Sequence, residues 1–199
     1  RLSLSQLKAK TMAEIICEPK NLISSETCAD RGGWYIGFYA KYSEIDWADM
    51  ATDALLFDQT NQEILGFTMV GGATWKKIEP RKRGATYNFN YTSATGFYEC
   101  NAACIFDSKD RDRRNNLQYA IQCCDLVVVL FGNNGKKRVI GVDWNGAEFS
   151  RPVDNFRISQ HNDQGGDLGT STSTDDLAWQ GNQLFAPLFA DVARSIFPS

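Results

Sequence analysis

The sequence predicts a mainly β domain with one flanking helix (α+β), an antiparallel sandwich or barrel. Three observations carry this. The first is Asp125 to Trp144, where an unbroken apolar run, Leu126 to Phe131, meets Asn134-Gly135 and then the mixed segment Arg138 to Trp144. A valine-rich run of this length fits a strand buried on both faces, and Asn-Gly suits a primed two-residue hairpin turn. The second is strict alternation. Tyr87, Phe89 and Tyr91 are interleaved with Thr86, Asn88 and Asn90, and Tyr98, Cys100, Ala102, Cys104 and Phe106 share one face of the next segment. The third is one helical period, with no alternation of strand and helix of the kind a parallel sheet needs.

Each element follows in order. Residues 1–31 read as an N-terminal arm, with Leu2, Leu4, Leu7 and Met12 apolar among lysines. Residues 32–199 read as a single domain. Trp34 to Tyr39 is an aromatic strand opened by Gly32-Gly33. Tyr42 to Met50 is a turn or short helix, and Ala54 to Val70 holds two short strands around a polar turn. Gly71 to Gly84 is the distinctly basic segment, and Thr92 to Gly96 breaks the two alternating strands. Ser108 to Cys124 is the helix, capped by Ser108 or Asp110, with Leu117, Ala120, Ile121 and Cys124 on one face. After the hairpin come a strand from Phe149 to Ser159 and a polar, irregular stretch from Gln160 to Asp176. A last strand starts at Leu177, with Pro187 as a break and a short terminal helix from Leu188.

A chain of 199 residues suffices for one sizeable core. The net charge of −3 gives no global attraction to nucleic acid or anionic lipid. No apolar run approaches the roughly 18 residues of a membrane helix, and the first ten residues lack a secretory apolar core. The six cysteines read mainly as buried free thiols, ahead of disulfides or zinc. Cys100 and Cys104 are four strand residues apart, about 13 Å, which is too far to share one ion. No cofactor or metal is expected.

Catalytic patterns are scarce. The one histidine, His161, has no nucleophile motif near it, and Gly132 to Lys136 lacks phosphate-loop spacing. Asp107, Asp110 and Asp112 suit the first turn of a helix. The expectation is therefore a protein that is not an enzyme. Trp75, Lys76, Lys77, Arg81, Lys82 and Arg83 combine an aromatic ring with cations, and together with Leu2, Leu4 and Leu7 they are the candidate subunit contacts.

Four pieces in this order resemble tail-tube-like virion structural proteins of tailed bacteriophages, of the Bacteroidota-phage type. They are Gly32 to Tyr39; the helix entering an apolar strand at Leu117 to Phe131; the Asn-Gly-Lys turn into Arg138 to Gly141; and Gly169-Thr170 with Asp175-Asp176 before Leu177 to Ala186. The resemblance runs from about Gly32 onwards. It implies a tail-tube-like core, a commonly hexameric ring of subunits that continue their sheets around a lumen, other virion proteins as partners, and DNA passing without specific binding. It also implies a place in the virion tail or neck after synthesis in the bacterial host cytoplasm. The N-terminal arm and the Gly71 to Gly84 segment depart from that pattern and suit a connector, terminator or ring protein. The rival reading is a carbohydrate- or ligand-binding β-sandwich, a decoration or receptor-binding module, motivated by Trp75, Trp144 and Trp179 as exposed stacking rings.

Overall fold

The computed structural model describes residues 33–81, 84–106, 125–164 and 174–198, all of which fall in one compact unit, Arg31–Ser199. The expected arm at 1–31, the expected helix at 108–124, and Cys17, Cys28, Cys123 and Cys124 lie outside the described residues.

The described chain is mainly β. Seven strands form one sheet: β1 (Trp34–Lys41), β2 (Phe57–Asp58), β3 (Glu63–Ile64), β4 (Lys76–Ile78), β7 (Leu126–Gly132), β8 (Lys137–Ile140) and β13 (Leu188–Ala190). Their order is β2-β3-β13-β8-β7-β1-β4, and every pairing is antiparallel except β13 with β3. Four longer strands form a second, wholly antiparallel sheet: β5 (Ala85–Thr92), β6 (Phe97–Phe106), β11 (Asp154–Gln164) and β12 (Thr174–Gln183), in the order β11-β12-β6-β5. A small pair, β9 (Asp143–Trp144) with β10 (Phe149–Ser150), completes the strands. Neither sheet closes on itself among the described strands. The helix α1 (Trp47–Thr52) has six residues, capped by Asp46, whose side chain accepts the Asp49 amide.

β7 explains the layering. All seven of its residues are buried. Alternation sends Val127, Val129 and Phe131 into one core, with Phe38, Met50, Phe57, Trp75 and Phe197. It sends Leu126, Val128 and Leu130 into a second core shared with the other sheet, among Cys100, Cys104, Phe156 and Trp179. Each such side chain contributes about 1.5–3 kcal/mol of burial, so a strand buried on both faces must be apolar throughout.

The structure corrects several local expectations. The hairpin loop after β7 has three residues, not two: Gly132 N–H donates to Lys136 C=O, and Gly135 N–H to Gly132 C=O. Only Gly135 takes positive φ (81°), so Asn134 does not sit in a primed turn. Its side chain instead accepts the Lys136 amide at 3.0 Å. The return arm is not one strand. It breaks at Gly141 (φ 92°) into β8 and β9. Phe149 to Ser159 is likewise divided, because Pro152, which offers no amide to a ladder, separates β10 from β11. Leu188 opens strand β13 rather than a helix, and a single 3-10 turn follows at Arg194–Ile196. The stretch expected to be irregular from Gln160 contributes to a hairpin: Gln160 pairs with Ala178 and His161 with Leu177, out to Gln164 with Thr174. Polar composition misled here because one face of this sheet is solvated. The alternating strands, the two short strands around a turn and the short helix after β1 all appear as expected.

Candidate functional site: the edges of the two sheets

The basic segment supplies an edge strand. Lys76 and Lys77 are exposed on β4, which pairs with β1 through only three residues. Lys77 Nζ lies 2.9 Å from Glu79, and Lys76 Nζ donates to the Thr74 hydroxyl at 3.1 Å. Arg81 is exposed, and its amide donates to Ile105 C=O. Lys82, Arg83, Leu2, Leu4 and Leu7 lie outside the described residues. Trp75 is not a surface ring. It is 4% exposed, edge-on to Phe67 at 4.8 Å and to Phe197 at 5.4 Å. Trp144 and Trp179 are also 4% exposed. The three rings that motivate sugar stacking are thus core residues, since the apolar face of a strand holds tryptophan as readily as valine. Cys100 and Cys104 are buried thiols on one face of β6, and neither is in a disulfide. Burial pushes the Cys100 thiol up to about 12.

Sequence patterns did not single out the edges of the sheets. Three of the four are obstructed. At β2 the outward Phe57 amide is already bonded to Asp53 C=O. At β4 there are three residues, two of them lysines, with Pro80 close behind. β11 carries two register shifts, at Asp154/Arg157 and Ile158/Gln160, and charged side chains at Asp154 and Arg157. Charge, proline and bulges are the usual devices that prevent edge pairing.

β5 has none of them. Its eight residues, Ala-Thr-Tyr-Asn-Phe-Asn-Tyr-Thr, are uncharged and pair with β6 without a register shift. Ile105 N–H donates to Gly84 C=O, so alternation turns the backbone of Thr86, Asn88 and Asn90 toward β6. The N–H and C=O of Tyr87, Phe89 and Tyr91 point away from β6, and no described strand pairs with them. Tyr91 is 57% exposed.

The outer face of this sheet is rich in amides. Asn88, Asn101, Gln180 and Arg157 stand in one row across the strands, and Asn90, Glu99, Asn182 and Asp154 in the next. Glu99 accepts from Gln180 at 3.1 Å and from Asn101 at 3.2 Å, and Asp154 accepts from Asn182 at 2.5 Å.

Among the described residues no three His, Cys, Asp or Glu side chains are placed to hold a metal ion. No helix there is long and apolar enough to cross a membrane. No protein-family model, curated protein or solved structure matches the chain.

Proposed function

We propose that the chain is a non-enzymatic structural subunit of a phage tail or neck, with a tail-tube-like sandwich core, that builds a ring through which DNA passes. The observation that carries this reading is the pair of long edges on the four-stranded sheet. β11, β12, β6 and β5 alternate in direction, so the two edges run oppositely. A second copy with the same axial orientation can therefore set the regular part of its β11, Gln160 to Gln164 beyond both register shifts, beside β5 as an antiparallel neighbour. The joint is head-to-tail, and such joints close into rings when the rotation allows. The outer face then faces the lumen with amides, a few carboxylates and Arg157, a surface that gives a polyanion little to hold. Lys76 and Lys77 on β4 remain candidates for contact with acidic groups of a neighbour.

The test is mass by light scattering with negative-stain imaging of the same sample, for wild type, Tyr91→Ala and Tyr91→Pro. Both variants remove the ring, and only proline removes the outward N–H. Wild type and Tyr91→Ala are expected to form rings or short tubes, and Tyr91→Pro to remain monomeric. A wild-type protein that stays monomeric at high concentration sinks the reading.

A further inference from the structure

The face of the seven-stranded sheet that is turned toward the four-stranded sheet carries a charged residue beside its apolar ones. Arg138 on β8 lies opposite Leu130 on β7 and Phe189 on β13. It shares its face with Ile140, so it points toward the layer between the sheets. Its guanidinium carbon sits 3.5 Å from the centre of the Phe189 ring, which is 41% exposed. One terminal nitrogen donates to Pro187 C=O at 3.3 Å, while the buried Nε has no hydrogen-bond partner among the described residues. Tyr87 and Phe89 of β5 pack against the same cluster as Leu130 and Ile140, the residues that flank Arg138 on this face. These two rings, stacked at 5.1 Å, are only half covered.

A half-buried cation stacked on an exposed phenylalanine, with no carboxylate against it among the described residues, borders an undefended strand edge. Burying an unpaired charge is costly, and a planar guanidinium takes a carboxylate by two parallel bonds. We propose that Arg138, Phe189 and the outer edge of β5 form one socket, occupied by an extended strand of a second copy that brings a carboxylate to Arg138. The incoming strand pairs with the backbone of Tyr87, Phe89 and Tyr91, covers their rings with its apolar side chains, and completes the shelf over Phe189. This deepens the ring reading and rests on it: the joint is specified by a buried ion pair as well as by backbone pairing.

The experiment compares wild type, Arg138→Met and Arg138→Lys by light scattering across protein concentration, with thermal unfolding of each monomer. Methionine keeps the packing over Phe189 and removes the charge, and lysine keeps the charge without the planar fork. The expected result is a monomer of Arg138→Met that melts no lower than wild type, together with a concentration for assembly raised about tenfold or more, and an intermediate rise for Arg138→Lys. If wild type assembles and Arg138→Met assembles equally well, the socket is wrong and the ring reading stands. If wild type never assembles, both fail. If Arg138→Met melts well below wild type, while Arg138→Lys both melts and assembles as wild type does, Arg138 serves the subunit's own packing and the socket is overturned.

Discussion

Asp143 is 1% exposed, and its carboxylate accepts the amides of Leu184 at 3.1 Å and Phe185 at 3.2 Å. Burial raises its proton affinity above the ordinary 3.8, against the opposing pull of those amides and of Gln183. A carboxyl that binds its proton more tightly in the folded state contributes stability that is fully present below 3.8 and is lost as pH rises through the folded value. Denaturant unfolding between pH 4 and 7 is therefore expected to show wild type losing stability with pH relative to Asp143→Asn, which carries no titrating group there. A parallel pH dependence in the two proteins would refute this. Nearby, Gly141 holds φ 92°, and a Cβ added there would collide with the Leu126 carbonyl oxygen, so a side chain has no room. Gly141→Ala should cost about 2–4 kcal/mol in equilibrium unfolding. A loss below about 0.5 kcal/mol would mean that the backbone here relaxes freely. Neither residue stands out in the sequence: one acid or glycine among many becomes special through what packs on it.

Between elements, the break at Gly141 frees ladder groups in the interior, and Gln183 at the end of β12 takes them up. Its Oε1 accepts from Gly141 N–H at 3.3 Å and from the Cys100 thiol at 3.2 Å, and its Nε2 donates to Val142 C=O at 2.6 Å. One side chain of the four-stranded sheet thereby fixes the kink between β8 and β9. Gln183→Leu fills the same space and leaves those groups unpaired, so it should cost about 3 kcal/mol in denaturant titration. A neutral outcome would show that the pin is replaceable by apolar contact. The strands whose pattern was legible are those with one environment along their length. β7 is buried on both faces and reads as an unbroken apolar run; β5 and β6 are solvated on one face and alternate. The misread elements change environment midway. The arm after the hairpin breaks at Gly141, the Phe149 segment breaks at Pro152, and β11 and β12 run into a polar stretch whose outward face has no need of apolar residues. Trp75, Trp144 and Trp179 were misplaced for the converse reason, since a tryptophan among polar neighbours gives no sign of which side of its strand faces the core.

For the whole molecule, the sequence alone is enough to show that the chain is mainly β, where β1, β5, β6 and β7 run, and that a half-solvated sheet accompanies a fully buried strand, because alternation and apolar runs are local consequences of which faces meet water. Lys76 and Lys77 were also visible as a surface pair. Which strands are neighbours, and hence which are edges, is set by the folded arrangement alone. Pairing order joins residues far apart in the chain, such as Trp34 with Gly132 and Gly181 with Cys100, and no local pattern encodes it. Among the described residues, the side of β5 with no paired strand and the stack of Arg138 on Phe189 exist only once that order is set. An edge is a side of a strand that no neighbour pairs, a property of an arrangement in space rather than of any residue along the chain.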